Sequence, residues 1–168
     1  MANSMAFLEP DGAKFYTSAY PEKTYIHATA QRPVLAFDDT ADEVCYWTLA
    51  APQSYAPDMV AIVHCVTASD TNTGHDVIFR GELEAITPGV DAVDLDSAES
   101  FGSANNSAAT AILGTAGYEF TVPITMTNDD GIAAGDLVRF RLTRYATSGS
   151  DTVVGDVYVL GVELREAA

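Results

Sequence analysis

From Thr24 onward the chain runs as short β-branched and aromatic stretches broken by clusters of Gly, Pro, Asp, Asn and Ser. That rhythm marks strands rather than helices. It predicts strands over residues 24–29, 33–37, 43–50, 59–68, 76–86, 110–114, 118–126, 137–145 and 156–165. Alternation is clearest where Val138, Phe140 and Leu142 point one way and Arg139, Arg141 and Thr143 the other, so one face is core and one is wet. The run from Met59 to Val66 is apolar on both faces, as expected of a central strand covered on both sides.

Turn chemistry separates these runs at Asn72-Thr73-Gly74, Asp129-Asp130-Gly131, Ala134-Gly135-Asp136 and Ser148-Gly149-Ser150-Asp151. Such turns join antiparallel neighbours. With about nine strands and no sustained helical periodicity, the expected fold is all-β: an antiparallel two-sheet sandwich of jelly-roll type over residues 24–168. Two segments break the rhythm. Residues 1–23 carry Phe15, Tyr16 and Tyr20, apolar grip that a disordered tail lacks, and are expected to form an ordered N-terminal arm. Residues 87–109 form an excursion in which residues 96–101 are expected to make a short helix, with Asp96 as N-cap and Glu99 completing a capping pattern.

Composition narrows the functional classes. The 168 residues hold 24 acidic and 8 basic side chains, a formal net charge of −16. That field repels phosphate backbones and anionic bilayers, so neither nucleic acid nor membrane is an expected partner. It also suits a protein that stays dissolved in salty water. No apolar run approaches the roughly 18 residues of a membrane helix. The first 20 residues include Glu9 and Asp11 and lack an apolar segment, so they do not read as a secretory signal and synthesis in the cytoplasm is expected. Cys45 and Cys65 are too few for a disulfide scaffold; two buried thiols are expected, with a cross-strand bridge as the alternative.

Catalytic constellations are missing. His27, His64 and His75 are isolated, without the short spacings of zinc ligands, and no nucleophile elbow, phosphate loop or dinucleotide motif occurs. His64 is expected to be a satisfied buried side chain, and His75 to be solvated. Acidic clusters at Asp38, Asp39, Asp42 and Glu43, and at Asp91, Asp94, Asp96 and Glu99, lack the ligand alternation of a calcium loop. No cofactor, metal or catalytic residue is expected, and the chain reads as a binding protein rather than an enzyme. Aromatic side chains that could serve as sugar platforms leave a carbohydrate-binding module as the alternative reading. Trp47, inside a strand, is expected in the core, and Tyr55, between Pro52 and Pro57, is the better exposed candidate.

The C-terminal third supplies a resemblance. Gly135-Asp136, the alternating strand ending at Arg144, Asp151-Thr152, Gly155-Asp156 and a second alternating strand to Leu164 resemble β-sandwich decoration and appendage proteins of tailed bacteriophage virions. Upstream, Trp47, Pro52 and Tyr55 are also similar to the early strands of those proteins. The resemblance implies a capsid-decorating or stabilising protein on the virion surface, with a vertex or tail appendage protein as the alternative within that family. Its partners would be the major capsid protein or other virion proteins, with a homo-oligomer, a trimer first, as the expected state. Phe15, Tyr16, Tyr20 and Tyr55 would carry the contacts.

Overall fold

The computed structural model describes residues 4–55 and 58–167. Its strands are β1 (Ser4–Leu8), β2 (Lys14–Phe15), β3 (Glu22–Ile26), β4 (Arg32–Phe37), β5 (Glu43–Ala50), β6 (Met59–Thr67), β7 (Asp76–Val77), β8 (Phe79–Ile86), β9 (Asn105–Asn106), β10 (Thr110–Ala111), β11 (Phe120–Met126), β12 (Leu137–Arg144) and β13 (Val157–Glu166), with a 3-10 turn at Pro10–Gly12. One sheet runs β11-β6-β13-β4-β3, with β1 also paired to β13; the other runs β2-β5-β12-β8-β9; β7 and β10 form a small ribbon. All pairings are antiparallel. The long strands β4, β5, β6, β8, β11, β12 and β13 alternate between the sheets in chain order. This is a two-sheet antiparallel sandwich of jelly-roll type, as the strand pattern predicts.

The core lies between the sheets. Val138, Phe140 and Leu142 of β12 are fully buried and face Val63, Cys65, Val122, Ile124, Val159 and Val162 in the same cluster. β6 is central in its sheet, flanked by β11 and β13; of its outward residues Ile62 and Val66 are buried, and Val60 and His64 are half-buried. Cys45 lies on β5 of one sheet and Cys65 on β6 of the other. Both are buried free thiols, and burial pushes their ionisation above the ordinary thiol range. Trp47 is buried, stacks on Phe140 with ring centroids 6.3 Å apart, and donates from Nε1 to the Glu9 carbonyl at 2.8 Å.

Two local expectations need correction, and the arm is ordered as expected. Residues 96–101 are not helical; the chain makes a single turn at 95–97. Glu99, instead of reaching back to the Asp96 N–H, pairs with Arg139 and Tyr16, and the Ser100 N–H is taken by Glu84 at 2.6 Å. The run 76–86 breaks at Ile78, whose N–H donates to Asp151 at 3.1 Å, separating β7 from β8. Within the segment read as an arm, β1 joins the first sheet through β13 and β2 joins the second through β5. The segment 4–15 thereby straddles both sheets of its own sandwich; residues 1–3 of that segment lie outside the described residues.

The loop after β12 is held by one buried cation. Arg144 is 0% exposed. Its Nε and Nη2 donate to the two Asp151 carboxylate oxygens at 3.2 and 2.9 Å. The remaining donors reach the carbonyls of Phe37 at 3.1 Å and of Gly155 and Val153 at 2.9 Å. All five guanidinium N–H groups are thus engaged, and the clamp ties the loop 145–156 to the end of β4. Replacing Arg144 with Met leaves Asp151 buried without its counter-charge and should cost about 3–5 kcal/mol, measured by urea denaturation. A loss below about 1 kcal/mol would show that the clamp does not hold the loop.

Candidate functional site

Strand register assembles a polar groove on the outer face of the second sheet. In β12 the residues opposite the core are Arg139, Arg141 and Thr143. Arg141 lies between Tyr46 of β5 and Glu82 of β8, Arg139 between Thr48 and Glu84, and Thr143 between Val44 and Arg80. Side chains directly opposite across a sheet interact, so three strands present alternating guanidinium, carboxylate and aromatic groups. Tyr16, Thr17 and Ser18 follow β2 along one wall. With Asp42, Val44, Arg80, Glu82, Arg141 and Thr143 they line an open groove of about 420 Å³.

The groups in this groove are fixed in place. Arg141 makes a bidentate pair with Glu82 at 2.8 and 2.7 Å, the strong planar geometry for this pairing. It also donates to the Tyr16 hydroxyl at 3.3 Å. That hydroxyl donates to Glu99 at 3.0 Å. Burial raises the Tyr16 phenol above its ordinary value despite Arg141, so it stays a neutral hydroxyl at neutral pH. Arg80 lies over the Tyr145 ring at 3.1 Å and faces Asp42 at 3.6 Å, and Phe101 covers Arg141 at 4.0 Å. Behind the groove, Glu84 is 0% exposed and pairs with Arg139. Burial alone would raise its carboxyl, but the Arg139 guanidinium and the Ser100 N–H hold it below the ordinary range.

The aromatic residues singled out in the sequence do not converge. Tyr16 enters the groove. Phe15 and Tyr20 lie against each other, ring centroids 5.7 Å apart, over a separate pocket of about 350 Å³ with Glu22, Asp38, Glu43 and Asp156. There burial and neighbouring carboxylates raise Glu43 and Asp156. Tyr55 is packed against the core rather than displayed. Its hydroxyl is buried without a hydrogen-bond partner among the described residues, and burial beside Asp129, Asp58 and Glu166 pushes its phenol up to about 12. It is not the exposed platform that its Pro-flanked setting suggested.

The histidines also depart from expectation. His64 points outward from β6 and is half-buried, its Nδ1 2.6 Å from Glu119. His75 is half-buried rather than free in solvent, its Nδ1 2.7 Å from Asp70 and Nε2 3.0 Å from the Asn72 amide. Among the described residues no three His, Cys, Asp or Glu side chains converge as metal ligands. The acidic cluster at 38–43 is spent on the backbone: Asp38 accepts from the Thr40 N–H, Asp39 from Gly155, Asp42 from Thr147 and Glu43 from Asp38. Glu82 and Arg80, which line the groove, and Tyr46 and Phe101, which lie against its arginines, were not singled out in the sequence. Alternation on β5 and β8 could have placed the first three, whereas Phe101 arrives from an irregular segment.

No protein-family model matches the chain, and no curated protein matches it significantly. Solved structures do. A CBM35 from Cellvibrio japonicus Abf62 is similar over 96% of this chain and 92% of that one, with 9% identity and a TM-score of 0.51. A Cellvibrio japonicus xylanase, Xylanase10C in complex with xylopentaose, matches over 100% of this chain and 29% of its own, with 13% identity and a TM-score of 0.46. TmCBM27, a carbohydrate-binding module described for mannan recognition, matches over 99% and 89%, with 12% identity and a TM-score of 0.41. The first likeness is one of fold; the other two are too distant to bear on it.

These findings correct the capsid-decorating reading. The near full-length likeness is to a carbohydrate-binding module and not to a virion protein. The motif that suggested virion proteins has a structural explanation, because Arg144, Asp151 and Gly155 form the buried clamp of the 145–156 loop.

The Glu84–Arg139 pair gives the fold a specific acid sensitivity. Because the folded carboxyl sits below its unfolded value, its stabilisation is complete above about pH 4.3 and is lost as pH falls through the lowered folded value. Wild type should therefore exceed Glu84→Gln in urea midpoint at pH 6, and the difference should shrink below about pH 4. A difference constant from pH 6 to pH 3 would show that Glu84 is not held ionised by the fold.

Proposed function

We propose that this chain is a non-catalytic carbohydrate-binding module that takes a neutral glycan in the groove formed by β5, β12, β8 and Tyr16. The observation that carries this reading is the preorganised row of Arg141–Glu82, Arg80–Asp42 and the Tyr16 hydroxyl along one open groove. Sugar hydroxyls both donate and accept, so they suit paired guanidinium and carboxylate groups whose orientations are already set. Preorganisation lowers the cost of binding, and an aromatic wall offers a face to the apolar side of a pyranose ring. The fold shared with a CBM35 lends support.

Charge selects the class of sugar. Arg80, Arg139 and Arg141 meet four carboxylates, Asp42, Glu82, Glu84 and Glu99, each within reach of one of those guanidiniums. The face carries no surplus positive charge, and the chain as a whole is at −16. An anionic polymer would be repelled, which leaves a neutral polysaccharide. The same pairing argues against hydrolysis. A catalytic acid needs a raised carboxyl, whereas Glu84 is held down by its guanidinium and Asp42 and Glu82 face arginines.

Affinity electrophoresis through gels containing soluble xylan, mannan or mixed-linkage glucan tests the proposal. At least one neutral polymer should retard the protein, and polygalacturonate should not. Tyr16→Ala and Arg141→Ala should each weaken that retardation at least tenfold, because a hydrogen bond to a charged group is worth about 1.5–3 kcal/mol. Their β-sheet spectra should stay unchanged. Retardation undiminished by either substitution would remove the groove as the site.

A further inference from the structure

On the opposite sheet, two strands share one neighbour. β13 pairs with β4 over residues 157–159 and with β1 over residues 162–165. The two partners separate where the register of β13 shifts between Val159 and Gly161, as at a β-bulge. At this fork lies an open pocket of about 510 Å³, walled by Phe7, Glu9, Arg32, His64, Glu119 and Leu160 together with the Pro10–Asp11 turn.

Phe7 is built into this pocket in an unusual way. Its ring lies directly on Gly161, where an added Cβ would stand 2.5 Å from the ring. A glycine inside a strand weakens the strand and marks a close approach, and here it is used to seat an aromatic side chain that remains 52% exposed. One face of the ring covers backbone. His64 meets the ring edge to face at 5.7 Å, and its own Nδ1 is fixed by Glu119 at 2.6 Å. Around the ring, the Arg32 guanidinium and the Glu9 carboxylate make no hydrogen bond or ion pair among the described residues, so a donor group and an acceptor group stand ready beside an apolar platform.

We infer that this fork is a second carbohydrate-binding site, independent of the groove, so that the module holds two glycans at once. The ligand class, a neutral pyranose chain, is shared with the proposed function and rests on it. The chemistry of the fork selects it separately: an open aromatic face takes the apolar side of a sugar ring, and unengaged donor and acceptor groups of opposite sign take its hydroxyls. Glu9, Asp11 and Glu119 oppose an anionic ligand. The two sites lie on the outer faces of opposite sheets, pointing away from each other across a sandwich whose sheets stack about 10 Å apart. A short oligosaccharide cannot span both, so the arrangement joins separate glycan chains and raises avidity on a polymer surface.

Calorimetry of the full chain with the neutral hexasaccharides of β-linked xylose, mannose and glucose, backed by native mass spectrometry, decides it. Wild type should bind two oligosaccharides per chain. Phe7→Ala should reduce this to one, and Arg32→Gln, which leaves Phe7 on Gly161, should weaken the same site at least tenfold. Tyr16→Ala should remove the other site only. A single site abolished by Tyr16→Ala and indifferent to Phe7→Ala overturns the fork and spares the groove. A single site abolished by Phe7→Ala alone upholds the fork and removes the groove. Two sites that both ignore Phe7→Ala, or no binding at all, overturn the fork as well.

Discussion

The alternation of β12 is the constraint on which both the core and the outer groove depend. This strand lies between β5 and β8, and its inward residues Val138, Phe140 and Leu142 are completely buried. The period of two then obliges Arg139 and Arg141 to stand on the other face. A slip of one residue would drive both guanidiniums into the core and strand three large apolar side chains in water. Register is therefore set by burial, and burial in turn positions Arg141 against Glu82 and Tyr46. The groove needs no separate device to align it.

Few cations serve this acidic chain, and their placement is uneven. Of eight basic residues, three line or back the groove face and one, Arg144, is buried as a clamp. The acids, by contrast, are dispersed as turn and loop caps. Asp70 takes the Asn72 and Val154 N–H groups, Asp130 takes that of Ala85, and Asp136 takes that of Ala133. Aspartate favours such turns because its short side chain reaches nearby backbone donors. Much of the negative charge is thus the by-product of a loop-rich sandwich whose turns are closed by carboxylates, and a run of acids in this sequence marks a turn before it marks a ligand site.

Long elements with strong alternation were legible in the sequence. β5 matches its expected span, and β6, β12 and β13 do so to within a residue at either end, because β5, β12 and β13 carry a clear inward face and β6 is a continuous apolar run. β1, β2 and β9 were not legible. Lys14–Phe15 and Asn105–Asn106 are two-residue pairings that exist only because a neighbour offers an edge, and β1 depends on Gly161 making room for Phe7. Half of the candidate site could be read: Arg139 and Arg141 stood out on the wet face of one strand, and Tyr16 was singled out within the arm. Their assembly with Arg80, Tyr46, Phe101 and Glu99 is a matter of cross-sheet register and of an irregular loop folding back. Tyr55 misled because flanking prolines say that a chain turns, not which way a ring points. The capsid-decorating reading misled for a related reason, since Arg144, Asp151 and Gly155, part of the motif behind it, hold a loop.

Everything proposed for this chain turns on whether the face of β5, β12 and β8 beside Tyr16 receives a neutral glycan. The most direct measurement is a residue-resolved NMR titration of the chain with neutral β-linked oligosaccharides. Saturable shifts are expected at the Tyr16, Thr17 and Ser18 amides and at the Nε–H resonances of Arg80 and Arg141. Saturable binding that leaves all of these unmoved would contradict that placement.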